Sequence, residues 1–449
     1  MPMDLGPLML RDRLGMSLNT PYFNSTPMAM VWCYPSALGW GARIGLLLYV
    51  VGDRLLNAQR VSTEEIRSLV ALDDYAIFQI GSTAILGIYL LLLLLKPNFR
   101  RLLPLFTRSP LLWIALYIGF ACMSTLWSQA PLLTAFKAIQ CAVFLPVAVL
   151  AMGGLQNIEQ RIRYLAVIAL AYLATAYIAY WMWSVPEWGL NIVSLHFVVG
   201  TVPFLGNLYL VKVARLRGIA RSYWGLVLPF ALIETVFTSL MAIITAQALF
   251  IYMRLRHLIR YLIPYVLVLV AIFFVILLPK NPDAMVLGIK SVKEITEGTG
   301  RFEVWDYALS KSFFESPFVG RAFVLGDAIG RTEGINVALG QMHNAHLSAL
   351  MNLGIIGAAL WIAFLFGSYR AIARHPDRNV RAALAAAALI YAFQQMFGGA
   401  SLSSSLHVVW VSHALFFSLV AIETIHRRPA QYVVVAVSEA GRLRPVTQP

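Results

Sequence analysis

The residues of this chain best suited to chemistry fall in two short runs. The first is Gly298-Thr299-Gly300-Arg301-Phe302-Glu303-Val304-Trp305. Glycines ahead of a helix put Arg301 in its first turn, where backbone N–H groups and a guanidinium fork both favour phosphate and together suit a diphosphate. Trp305, one turn on, lies on the same face and could stack on a sugar or on Arg301. A surface arginine beside a packing tryptophan has the same spacing. The second run is Gln341-Met342-His343-Asn344-Ala345-His346. An imidazole at the water-facing mouth of a helix bundle can take a proton near neutral pH, and a sugar hydroxyl must lose one to become a nucleophile. Asn344 could orient that ring or bind sugar hydroxyls. The plainer alternative for His343 is an interfacial histidine bonded to backbone. His343 and His346 lack the carboxylate or cysteine partners that would complete a metal site. No Walker-type loop and no dinucleotide fingerprint is present, so an energy source in the cytoplasm is not indicated and no cofactor is expected.

Both runs belong to one connection, Pro279 to Met342, far longer than the usual link between elements. Its aromatic and aliphatic residues predict an amphipathic helix over 301–315, with Phe302, Trp305, Leu309 and Phe313 on one face. Pro317 ends that helix, because the residue before a proline avoids helical geometry. Seven basic and eight acidic residues alternate along the connection, which excludes a basic nucleic-acid patch. It reads as a small folded lid, and something must hold it in place.

The holding elements are apolar. Of 449 residues, 59% are hydrophobic and only 12% charged, outside the range of a soluble globular chain. The apolar residues form blocks of about 17 to 23, long enough to cross a hydrocarbon core as helices. Spans are predicted at 29–51, 75–95, 110–127, 136–153, 164–183, 190–211, 223–239, 240–254, 261–278, 345–368, 381–399 and 406–424. The alternating short segments of a β-barrel are absent. Met1 to Pro27 lacks the order of a cleavable signal, so the first span is expected to remain as an anchor. The formal charge of +14 sits in short loops. Lys96, Arg100, Arg101 and Arg108 fill one, and Lys212, Arg215, Arg217 and Arg221 another. Arg254, Arg256 and Arg260 mark a third, and Arg370, Arg374, Arg378 and Arg381 a fourth. In a count of about twelve spans these loops share the cytoplasmic side, which leaves the long connection outside. Arg43 and Glu234 fall inside spans, where charges serve either function or interhelical structure. Lys137 falls near the outer end of its span. His196, His407 and His413 read as hydrogen-bond partners between helices, Gly354 and Gly357 as close packing positions. Cys33, Cys122 and Cys141 lie in apolar stretches without ligand spacing.

Several of these residues together resemble the O-antigen ligase and polymerase superfamily, which includes polymerases of exopolysaccharide. The resemblance lies in Gly300-Arg301 with Trp305, in Pro317 and Gly320, and in His343-Asn344 with Leu353-Gly354-Ile355-Ile356-Gly357. Leu126-Trp127-Ser128-Gln129-Ala130-Pro131 is similar to the family's outer-face tryptophan-serine turn. Where the family often has a serine-arginine pair, this chain reads Thr238-Ser239-Leu240-Met241, so a second phosphate-binding arginine would be Arg321 or Arg331, or would be missing.

The resemblance implies an all-α polytopic membrane protein with about twelve transmembrane helices and one large periplasmic loop containing short helices. Residues 1–278 would form an N-terminal transmembrane bundle, 279–343 the periplasmic catalytic loop, 344–426 the C-terminal transmembrane helices and 427–449 a cytoplasmic tail. The implied donor is an undecaprenyl-diphosphate-linked oligosaccharide, transferred without nucleotide or metal in the bacterial inner membrane. The acceptor would be a growing glycan in a polymerase, the favoured branch, or lipid A core in a ligase. Arg301 and His343 would be catalytic, with Trp305, Asn344, Arg321 and Arg331 binding substrate. Expected partners are the lipid bilayer and other polysaccharide assembly and export proteins, and no nucleic acid. A polysaccharide transporter or flippase is the alternative of a different class, although the two halves of the chain lack the repeat common in transporters.

Overall fold

A computed structural model describes residues 36–62, 74–95, 103–183, 218, 245–253, 285–286, 290–291, 301–328, 342–397, 402–403, 408–425, 435–437 and 443–445. The predicted spans at 190–211, 223–239 and 261–278 lie outside these residues, as do Cys33, His196, Glu234, Arg331 and His407. The described part is almost wholly α-helical. In chain order its helices are α1 (Ser36–Ser62), α2 (Asp74–Leu94), α3 (Leu103–Thr107), α4 (Leu111–Met123), α5 (Pro131–Gly153) and α6 (Ile158–Trp183). Then come α7 (245–253), α8 (Arg301–Tyr307), α9 (Ala345–Ala373), α10 (Arg378–Phe397) and α11 (Val408–Ile425). Two antiparallel strand pairs, Met285–Val286 with Lys290–Ser291 and Val435–Val437 with Leu443–Pro445, are the described β-structure.

Local chemistry accounts for the helix starts. Asp74 puts a carboxylate in the first turn of α2, and Pro131 opens α5 where a missing N–H costs nothing. The Asp377 carboxylate accepts the N–H groups of Asn379 (2.7 Å) and Val380 (3.1 Å) and so caps α10. Three helices, α2, α5 and α9, are long and apolar enough to cross a membrane. Two shorter apolar helices accompany them, α11 and the α4 segment that runs on through a 3-10 turn, Ser124–Trp127. Only 22% of the apolar stretch of α2 is buried, and Ile77, Ile80, Ile85, Ile88 and Leu91 are exposed. Water would not tolerate such a face, whereas lipid would.

The helices form one interleaved body. α1 packs on α2, α5 and α6; α4 packs on α5 and α9; α11 packs on α5, α6 and α9. The C-terminal helices therefore share a core with the N-terminal ones. Several polar groups inside it are paired, while others, such as the Gln395 amide and His413 Nε2, are buried without a hydrogen-bond partner among the described residues. Arg161 Nη1 meets Glu423 Oε1 at 2.7 Å, and the same guanidinium donates to the carbonyls of Met152 (3.3 Å) and Leu155 (2.8 Å). Arg43 lies against Trp40 (5.2 Å) and donates to Ala151 O (3.4 Å), which gives it a structural place. Lys137, near the start of α5, donates to Gln79 Oε1 at 2.7 Å. His413 bonds Val409 O at 2.8 Å within its own helix and meets the Tyr391 ring edge-on at 4.7 Å.

Candidate functional site

α9 is broken. Leu353 (φ −130°, ψ 16°) and Gly354 (φ 65°, ψ −161°) leave helical geometry, and the second conformation is one that glycine alone adopts freely. A break leaves backbone groups without helical partners, and the loop after the lid supplies them. Arg321 N–H donates to Met351 O at 2.9 Å, Ile355 N–H to Pro317 O at 2.9 Å, and Ile356 N–H to Phe318 O at 3.4 Å. Glycines let the two backbones meet: a Cβ on Gly354 would overlap the Phe318 carbonyl, and one on Gly320 or Gly326 would overlap the backbone of 351–353. The sequence expectation of Gly354 as a helix-packing position is thus corrected. It is the break into which the loop docks.

The lid helix begins at Arg301 as predicted, but its middle is a π turn. α8 passes into a π segment, Ala308–Ser312, and a last turn, Phe313–Glu315. The predicted face is corrected in part: Trp305 and Phe313 pack on the cluster of Val304, Ala308, Met342 and Met351, whereas Phe302 and Leu309 are exposed. Trp305 Nε1 donates to Met342 O at 2.7 Å, and its ring meets Phe302 edge-on at 5.4 Å. Its indole therefore joins the lid to the residue just before His343. Arg301, one turn earlier, is partly buried; its Nε is buried with no acceptor among the described residues. Burial lowers its pKa by disfavouring the charge. Arg321 is committed differently, its Nη2 lying 2.5 Å from Glu315 Oε2.

His343 sits at the turn before α9 with φ 49°. Asn344 beside it is the N-cap of α9: its Oδ1 accepts the N–H groups of His346 (3.0 Å) and Leu347 (3.1 Å). That occupies the carbonyl expected to orient the imidazole or hold a sugar, so Asn344 acts first as a cap. His346 accepts Trp361 Nε1–H at Nδ1 (3.1 Å) and faces the bundle. No cluster of metal-ligating residues occurs among the described residues.

Asp327, which sequence reasoning passed over, is at the centre of this turn. Its backbone N–H donates to Asn352 Oδ1 (2.9 Å), its backbone carbonyl accepts from Met342 N–H (3.2 Å), and its carboxylate meets Ser348 Oγ at 2.5 Å. Ser348 Oγ also lies 2.9 Å from Asn344 O. The hydroxyl is thus shared between the Asp327 carboxylate and the Asn344 carbonyl. Burial pushes the Asp327 pKa from 3.8 up to about 6. The one signal in the sequence was a lone acid inside the apolar run Phe323 to Ile329.

Other segments close the site from below. Phe323 N–H donates to Ser124 Oγ (3.0 Å), and Thr134 Oγ1 donates to Phe323 O (3.3 Å) while bonded to Ser128 Oγ (2.8 Å). The tryptophan-serine turn noted at 126–131 is therefore beside the docked loop. Ser403 Oγ donates to Ala345 O (2.8 Å), and Tyr117 Oη donates to Ser403 O (2.9 Å). Every positive-φ residue among the described ones belongs to this assembly: Gly320, Ala322, Val324, His343 and Gly354. For Ala322, Val324 and His343 that geometry costs about 1 to 3 kcal/mol each, a strain that gathers where function needs fixed geometry. In comparisons with known proteins, no family model matches the chain and no curated protein matches it.

Proposed function

We propose that the protein is a membrane glycosyltransferase that joins polyprenyl-diphosphate-linked oligosaccharide units into exopolysaccharide or O-antigen at the periplasmic face of the bacterial inner membrane. The observation that carries this reading is the Trp305–Met342 bond. It ties the helix bearing Arg301 to the turn bearing His343. In the reaction Arg301 holds the donor diphosphate and offsets the charge that grows on it as the anomeric carbon–oxygen bond breaks. His343 takes the proton of the acceptor hydroxyl as its oxygen bonds that carbon, and polyprenyl diphosphate leaves. Arg321, held by Glu315, is the described candidate for a second cation at the diphosphate.

The segregation of the chain supports the orientation. The loop 317–328, the turn 124–131, His343 and Ser403 meet at one end, whereas Arg161 and Glu423 pair at the other.

Arg301→Ala and His343→Ala, each confirmed to reside in the membrane, are expected to lower polymer formation by about 100-fold or more, as for loss of a general base or a transition-state cation. Normal chain length in both variants would exclude the assignment. A deletion strain separates the branches: single repeats accumulate without a polymerase, long lipid-linked chains without a ligase. Transfer by purified protein in detergent, which has no two sides, excludes a flippase.

A further inference from the structure

At the end of α9 away from the lid, the bundle encloses a cavity of about 750 Å³. Its walls are the approach to α4, Thr107 to Trp113, and the last turns of α9, Gly367 to Pro376, with Glu423 and Thr424 of α11 behind. Gly367 makes room there, since a Cβ at that position would press on Pro110. Ile355 and Arg374 are separated by most of a helix of about 1.5 Å rise per residue, so this cavity and the lid site are at opposite ends of the molecule.

Its charge is one-sided. Arg108, Arg370 and Arg374 line it, the last two one turn apart on a single face of α9. Among the described residues that line it Glu423 is the one carboxylate, and Arg161 already holds it at 2.7 Å. No ion pair of Arg108, Arg370 or Arg374 occurs among the described residues. The negative end of the α9 dipole draws cations to a helix terminus for about 0.3 to 1 kcal/mol each, but it does not account for a third arginine arriving from another segment across an open volume. The sequence adds Arg100 and Arg101 before α3 and Arg427 and Arg428 after α11. The mouth is apolar on one side, where Trp113 is 39% exposed beside the exposed Leu116. An indole at such a boundary suits a ligand with a charged head and a greasy body.

We propose that this cavity binds a phosphate-bearing anion between Arg108, Arg370 and Arg374. The two sources of that chemistry are the head group of an anionic phospholipid, which Trp113 favours, and a soluble phosphate ester.

The test uses the full chain in phosphatidylcholine nanodiscs. Its melting temperature is followed as phosphatidylglycerol replaces part of the lipid, and separately as inorganic phosphate is titrated at constant ionic strength, so that screening is held fixed. A saturable rise is expected, with apparent affinity lowered by about tenfold or more in Arg370→Gln/Arg374→Gln, since each guanidinium–phosphate contact is charge-assisted. Arg163→Gln, which removes an exposed charge already paired with Glu159, is expected to behave as wild type. Saturation by phosphatidylglycerol alone identifies a lipid site, and saturation by phosphate alone a soluble ester; both support the cavity. If wild type responds to neither probe, or the double variant responds as Arg163→Gln does, the proposal is overturned. Arg108→Gln, outside the helices, gives the same readout if the double variant does not accumulate.

Discussion

A buried carboxyl sits at the centre of the turn below the lid. Asp327 is buried, and desolvation pushes its carboxyl up to about 6 from the 3.8 of the unfolded chain. The folded state therefore binds more protons than the unfolded state between those values. Stability from this group is complete at low pH, falls as pH rises through about 4 to 6, and is level above; the whole change is about 3 kcal/mol. Thermal unfolding in detergent across pH 4 to 7 should show this slope, and Asp327→Asn should flatten it. The amide oxygen can still accept from Ser348 and no charge is buried, so the variant should be at least as stable as wild type at pH 7. An unchanged slope in the variant would remove Asp327 from this account. Arg301 and His343 were singled out by position, one behind glycines at a helix start and the other at the mouth of a span, and their roles stand as proposals. Asp327 was not, because what distinguishes it is enclosure by Ser348 and Asn352, residues about twenty positions away in the chain.

Among the elements, the joint between α9 and the docked loop is the most exacting. Gly354→Ala would force a side chain into a glycine-only backbone region and onto the Phe318 carbonyl. We expect a cost of about 3 kcal/mol or more, read as a lower melting temperature and reduced membrane accumulation. Gly119→Ala in α4, where a Cβ meets nothing, is the control and should be neutral or slightly stabilising. A Gly354→Ala protein as stable as wild type would refute the docked geometry. Helix positions followed from hydropathy, and the start of the lid helix from its glycines. The break did not, because Leu353-Gly354 is flanked by apolar residues that continue the helical pattern on both sides. Leu309 was misplaced on the buried face of the lid for a related reason: it lies in the π turn, which shifts phase and which no propensity announces.

At the scale of the whole molecule, the Arg161–Glu423 pair closes α6 onto α11 with both side chains under 10% exposed. Breaking it on one side strands a buried charge. Glu423→Gln should therefore cost about 3 to 5 kcal/mol, whereas Arg161→Met combined with Glu423→Leu should cost much less. A thermal-shift double-mutant cycle in detergent measures the difference, and equal losses in the single and double variants would show that the pair contributes packing alone. Residue types and loop charges foretold two unlike ends to the bundle. They could not foretell that C-terminal helices thread among N-terminal ones, since interleaving depends on which apolar faces fit and not on their being apolar.

The joint at Gly354 has a further consequence. Its three cross-links run from main chain to main chain, and the docked segment contributes no side-chain chemistry to them. Almost any residue satisfies such a contact, provided glycines stand where the strands cross. Relatives can therefore keep the same joint while the letters around it drift apart, so that kinship of this kind is written in the spacing of Gly320, Gly326 and Gly354 and is nearly silent to comparison by identity.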